Sequence, residues 1–107
     1  MVENDITIVL EKYIQKVVPY LDPREIILFG SQVRGNTHKD SDIDVAIILD
    51  YFDDSKGNFL EVSTELVTMR RDIDLRIEPH LLEANIDRSG FLAHVRHTGR
   101  VIYSRAA

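Results

Sequence analysis

Gly30-Ser31, separated by ten residues from Asp42-Ile43-Asp44, is the part of the sequence that decides the fold. It follows an apolar run, Ile26-Ile27-Leu28-Phe29, which predicts a buried strand that ends where Gly30 permits close approach of the backbone. Ser31 is then expected to open a short helix that reaches Arg34. The first N–H groups of a helix lack intrahelical partners and carry partial positive charge. The turn therefore predicts a phosphate site with the Ser31 hydroxyl as a further donor.

Asp42 and Asp44 lie in an alternating segment, Asp42 to Leu49, which predicts an amphipathic strand. Because strand side chains alternate between two faces, both carboxylates project from one face, about 6 to 7 Å apart at the backbone. Carboxylate oxygens are ligands that suit Mg²⁺, and two metal ions about 3.5 to 4 Å apart can activate an attacking oxygen and stabilise a leaving one. The sequence thus predicts a site for a nucleotide and two Mg²⁺ ions, with Asp42 and Asp44 as ligands.

A third carboxylate is expected from Asp72-Ile73-Asp74-Leu75-Arg76-Ile77, whose alternation predicts a second strand of the same kind. Asp74, flanked by two apolar residues, is the predicted third member of the cluster and third metal ligand. Asp72 shares its face near the start of that strand and stays the alternative.

Two basic residues, Arg34 and Lys39, lie between the turn and the aspartate pair. Either could reach a phosphate, with Arg34 the better candidate, and the alternative for both is solvated loop charge. His94 and His97 favour a surface helix over a metal pair, since no carboxylate or cysteine accompanies them. The sequence contains no Walker-type phosphate loop, which argues against a P-loop kinase or ATPase.

Helices are expected around these strands. Apolar residues at helical spacing predict a first helix over residues 6–17, a second from about Asn58 to Arg70 and a last one from Gly90 to Thr98. Leu81-Leu82 through Ile86 predicts a helical turn or two, and Val101 to Tyr103 a short terminal strand. The predicted fold is α/β, with three or four strands and with helices packed on one sheet face, so that the other face stays open for the acids.

Size and charge restrict the function. The chain has 107 residues, which predicts a single domain over residues 1–107, and 44% hydrophobic content suits a soluble protein. Its formal charge is −5, with 18 acidic and 13 Lys or Arg residues, which disfavours a nucleic-acid partner. It contains no cysteine, no signal-peptide core and no apolar run of membrane-span length, so a cytoplasmic protein without membrane contact is expected.

Gly30 to Gly35 followed by Ser41 to Ile47 resembles the signature of the minimal nucleotidyltransferases of the polymerase-beta superfamily. The resemblance covers nearly the whole chain. It implies a mixed sheet, contact of Ser31 with nucleotide phosphates, Mg²⁺ binding by Asp42 and Asp44, and completion of the triad by Asp74.

The same resemblance implies a partner. Members of this family are often antitoxins of a small all-helical toxin, typically a ribonuclease of the HEPN (higher-eukaryote and prokaryote nucleotide-binding) class. Some transfer AMP from ATP to a tyrosine of that toxin, and the ungapped spacing here is similar to theirs. A heteromeric complex with a HEPN-type toxin and ATP as substrate are therefore expected. The alternatives are a non-catalytic antitoxin that acts by binding and a transferase for a small hydroxylated molecule.

Overall fold

A computed structural model describes residues 2–35 and 41–106, with side chains from residue 6 onward. Within these ranges the chain forms four helices and four strands. In chain order they are α1 (Val2–Leu21), β1 (Glu25–Phe29), α2 (Ser31–Arg34), β2 (Ile43–Leu49), α3 (Phe59–Thr68), β3 (Ile77–Glu83), α4 (Phe91–Thr98) and β4 (Arg100–Ser104). None of the helices in the described ranges is long and apolar enough to cross a lipid bilayer.

The strands form one mixed sheet in the order β3-β2-β1-β4. β1 is antiparallel to both β2 and β4, and its register sets Phe29 opposite Asp44. β2 and β3 are parallel, with Ile43 opposite Ile77, and α3 makes the crossover that a parallel pair requires. The predicted α/β fold with a mixed sheet is confirmed.

The larger core lies between the sheet and the pair α1 and α3. It consists of buried aliphatic side chains from both helices and three strands, which are Ile6, Leu10, Val17, Ile26, Leu28, Ile43, Val45, Ile47, Leu49, Val62, Leu66, Ile77 and Leu81, together with Tyr13. The buried Tyr13 hydroxyl donates a 2.6 Å hydrogen bond to the Leu66 carbonyl, which ties α1 to α3. Burial of each such side chain contributes about 1.5–3 kcal/mol, so this face anchors β2.

The opposite sheet face carries Asp44 and a second, smaller cluster under α4. Leu92 and Val95 of α4 pack there on a group of sheet residues made up of Ile27, Phe29, Ala46 and Ile48. α1 and α3 thus occupy one face as predicted, and α4 adds partial cover to the acid-bearing face. Asp44 lies beside the part of the sheet that α4 covers, because it is two residues before Ala46 on β2.

The prediction of a strand over residues 72–77 is wrong. The chain makes successive turns there, and β3 begins only at Ile77. The Asp74 carboxylate accepts a 2.9 Å hydrogen bond from the Arg76 N–H, an Asx-type turn that competes with extended backbone. The apolar alternation imitated a strand here, but Leu75 is 66% exposed, so the segment has no continuous apolar face to bury against the sheet.

The helical turn predicted from Leu81 to Ile86 is also wrong, because Leu81 and Leu82 belong to β3 and lie opposite Ile47 and Ile48. Pro79 within this strand is tolerated since β3 is at the sheet edge, where alternate N–H groups have no partner strand.

Candidate functional site

The predicted turn lies where β1 ends and α2 begins. Gly30 has φ 79° and ψ −151°, and its carbonyl accepts hydrogen bonds from the N–H groups of Val33 (3.1 Å) and Arg34 (3.3 Å). Ser31 opens α2 as predicted, and Gly35 closes it in the left-handed conformation. The N-cap of α2 is Gly30, so no side-chain hydrogen bond of the N-cap residue satisfies the start of this helix.

Glycine is required at position 30 for two separate reasons. Its positive φ is costly for any residue with a Cβ. A Cβ placed there would also lie 2.6 Å from Oδ2 of Asp44, well inside van der Waals contact. The turn and the carboxylate are therefore packed directly against each other.

Asp44 lies on β2, and its side chain is 26% exposed. Asp42 lies one residue before the strand and is exposed. The Gln32 amide of α2 donates to the carbonyls of Ser41 (3.4 Å) and Asp42 (3.2 Å). Gln32, which sequence reasoning did not single out, thus links the turn to the start of the acid-bearing strand.

Asp74 lies in a turn before β3, and its side chain is occupied by its neighbour. Its carboxylate accepts from Nε (3.0 Å) and a terminal nitrogen (2.7 Å) of the Arg76 guanidinium, in addition to the Arg76 N–H. The Arg76 hydrogen bonds hold the pKa of Asp74 below its usual range. The alternative residue, Asp72, is an exposed ion-pair partner of Lys16, which lowers its pKa. Neither carboxylate lies on a strand beside Asp44.

The acid that the sheet places next to Asp44 is Glu78. The parallel register sets the two residues opposite each other on neighbouring strands, and the Glu78 side chain is 46% exposed. Its Oε1 lies 3.7 Å from a guanidinium nitrogen of Arg70. Among the described residues, no three His, Cys, Asp or Glu side chains converge closely enough to hold a metal ion in this arrangement.

His80 is a second neighbour of Asp44 on β3. Its Nε2 lies 3.3 Å from Oδ1 of Asp44. Glu78 and His80 were missed because Ile77 was taken as the end of a strand. The signal was the alternation of polar Glu78 and His80 with apolar Ile77 and Leu81, which continues beyond the wrongly placed boundary.

The remaining candidates are Arg34, Lys39 and the two histidines of α4. Arg34 ends α2 and is exposed. Lys39 falls within residues 36–40, outside the described part of the chain. His94 and His97 are exposed on α4, as a surface helix predicts.

Comparison with known proteins agrees with this geometry. The family model "Polymerase beta, Nucleotidyltransferase" matches residues 5–107. Among solved structures, a candidate nucleotidyltransferase from Sulfolobus solfataricus is similar, with a TM-score of 0.69 at 18% identity over 97% of this chain and 86% of the other. A toxin-antitoxin structure with AMP-PNP has a TM-score of 0.58 at 24% identity, over 89% and 73% of the two chains. A comparison with curated proteins finds no match.

Proposed function

The chain belongs to the polymerase beta nucleotidyltransferase family, and on that premise we propose that it transfers AMP from ATP to a hydroxyl group of a protein partner. The observation that carries this proposal is the contact between the Gly30 turn and Asp44. A Cβ on Gly30 would lie 2.6 Å from the Asp44 carboxylate, so a phosphate held by the turn lies within reach of a cation held by that carboxylate. Transfer of a phosphoryl or nucleotidyl group depends mainly on such positioning and charge neutralisation.

The donor set suits Mg²⁺. Asp44 on β2 and Asp42, one residue before that strand, offer hard carboxylate oxygens, and both side chains reach solvent. Mg²⁺, when bound, neutralises the charge of the phosphates and favours attack on the α-phosphorus. The contact of Asp44 with Gly30 supports this placement, because it brings the carboxylate to the mouth of the phosphate turn.

In the proposed reaction, separate residues of the chain bind the phosphates and orient the acceptor. The Ser31 hydroxyl and the N–H groups at the start of α2 bind the β- and γ-phosphates, and Arg34 at the end of α2 adds positive charge. The acceptor oxygen attacks the α-phosphorus, gives its proton to a neighbouring carboxylate or to water, and displaces pyrophosphate from the opposite side. For the role expected of Asp74 as third carboxylate and acceptor-orienting group, the register favours Glu78, which lies opposite Asp44.

The acceptor we propose is a tyrosine of a small all-helical HEPN-type toxin, so that transfer makes this chain an antitoxin. Support comes from the likeness to a toxin-antitoxin structure with AMP-PNP. An antitoxin that neutralises its partner by binding alone is the competing function, and the test below distinguishes the two.

The test is label transfer from ATP that carries a radioactive α-phosphate, with Mg²⁺ and an extract of the source cells. Asp44→Asn keeps the shape of the side chain and removes its charge, and Asp54→Asn in the β2–α3 loop is the matched control. We expect a labelled protein band with the wild type and Asp54→Asn, and its loss with Asp44→Asn. Transfer that survives in Asp44→Asn would overturn the site. No labelled band at all, with nucleotide binding intact, would favour an antitoxin that only binds.

A further inference from the structure

His80 is a side chain of the candidate site to which the proposed reaction has assigned no role. It lies on β3 opposite Ala46, two residues beyond Asp44 along β2, and its side chain is 38% exposed. Its Nε2 is 3.3 Å from Oδ1 of Asp44. We propose that His80 is a positioning residue for Asp44, which rests on the proposed nucleotidyl transfer.

The chemistry of the contact defines the direction of the hydrogen bond. An ionised carboxylate can only accept, so Nε2 carries the hydrogen and donates it to Asp44. Nε2 is then not available as a lone-pair ligand for a metal ion. His80 therefore acts on a metal ion through Asp44 and not as a ligand itself.

The imidazole ring is held by aromatic neighbours. Its centroid lies 5.1 Å from that of Phe29 in an edge-on arrangement and 5.8 Å from that of Phe91. The two phenyl rings also contact each other edge to face at 5.6 Å. Since Phe29 is on β1 and Phe91 on α4, two separate elements restrict the rotation of His80, and its N–H is directed before any ligand arrives.

The Asp44 carboxylate is consequently restrained at one oxygen and lies close to the turn with the other. Oδ1 meets the His80 N–H, and Oδ2 lies against Gly30, where a Cβ would be 2.6 Å away. A carboxylate held by a hydrogen bond at Oδ1 loses rotational freedom, and its Oδ2 then stays beside the Gly30 turn. Groups that orient a metal ligand by a hydrogen bond commonly raise metal affinity or activity about 10–100-fold.

The test compares two substitutions at this position. His80→Phe keeps a ring between Phe29 and Phe91 and removes the donor, whereas His80→Gln keeps an N–H donor on a shorter side chain. His97→Ala, at an exposed position of α4, is the control. Mn²⁺ binding, followed by the loss of the free-ion electron paramagnetic resonance signal, is measured beside the Mg²⁺ dependence of transfer.

We expect His80→Phe to weaken Mn²⁺ binding about 10-fold or more and to raise the Mg²⁺ concentration for half-maximal transfer in parallel. His80→Gln should recover most of the affinity, and His97→Ala should match the wild type. Unchanged Mn²⁺ affinity in His80→Phe, or an equal loss of Mn²⁺ affinity in His80→Phe and His80→Gln, would overturn the role of His80 and leave the proposed transfer reaction in place. A wild-type chain that binds no Mn²⁺ would overturn the metal site and this inference with it.

Discussion

The chain contains the tripeptide Asp-Ile-Asp twice, and the two copies adopt different structures. Asp42-Ile43-Asp44 leads into β2, whose residues from Ile43 to Leu49 are buried except for Asp44. Asp72-Ile73-Asp74 lies in turns and is followed by Leu75, which is 66% exposed. The same local pattern therefore forms a strand only where a longer apolar run follows it and where neighbouring strands are available on both sides.

The comparison teaches that the partners of a carboxylate, and not its local sequence, determine what it can do. Asp44 contacts Gly30 and His80, which come from other elements of the sheet and leave lone pairs for a ligand. Asp74 is saturated by Arg76, two residues along the chain. The first carboxylate is available for a cation from outside, whereas the second has a cation already.

The largest effect is expected at the contact that distinguishes Asp44. Gly30→Ala places a Cβ against the Asp44 carboxylate and forces a positive φ on alanine, so we expect transfer to fall at least about 100-fold and the free energy of unfolding to drop by about 1–3 kcal/mol. Transfer assays and urea denaturation measure the two effects.

Gly35→Ala is the matched control for that variant. Gly35 has the same φ of 79°, but a Cβ there would meet nothing within 4 Å. It should therefore lose stability through backbone strain and keep its transfer rate per folded molecule. Equal loss of transfer in both variants would mean that the turn conformation matters and the contact with Asp44 does not.

The next effect concerns the stability that Asp74 provides. Asp74→Asn removes the charge from its hydrogen bonds with Arg76 and is expected to lower the free energy of unfolding by about 1 kcal/mol at neutral pH. Because the pKa of folded Asp74 lies below its unfolded value, this contribution is present above the ordinary Asp range and is lost as the pH falls through the folded pKa.

The measurement is urea denaturation of wild type and Asp74→Asn from neutral pH downward. The difference in the free energy of unfolding between the two proteins should shrink in acid. It should vanish once Asp74 of the wild type is protonated and therefore as uncharged as the asparagine. A difference that stays constant down to about pH 2 would show that the ion pair with Arg76 is not its source.

The smallest effect is expected at Gln32, which links the turn to the start of β2. Gln32→Ala removes donors to two carbonyls, and a hydrogen bond of about 0.5–1.5 kcal/mol corresponds to a rise of about 2- to 10-fold in the KM for ATP. Gln15→Ala, on the exposed side of α1, is the control and should leave the KM unchanged. A KM for ATP that is the same in both variants would show that the hydrogen bonds of Gln32 do not contribute to ATP binding.

The half of the site made by β1, α2 and β2 could be predicted from the sequence because its signals are local. An apolar run, a glycine and an alternating strand specify that geometry within a short stretch of chain, and the Gly30 turn and β2 lie where they were expected. The half made by β3 could not, because its boundary depends on pairing with β2 through the α3 crossover. Glu78 and His80 come next to Asp44 only through that parallel register, and the alternation over residues 77–81 predicts a strand without specifying its partner.

The most direct test of the account compares Glu78→Gln with Asp74→Asn in the label-transfer assay, at equal concentrations of folded protein. Both remove one negative charge, but only Glu78 lies opposite Asp44 in the sheet, while Asp74 is bound to Arg76. We expect Glu78→Gln to lower the transfer rate about 100-fold and Asp74→Asn to stay within about 3-fold of the wild type. Loss of transfer in Asp74→Asn with near-normal transfer in Glu78→Gln would contradict this expectation and would assign the role of third carboxylate to Asp74.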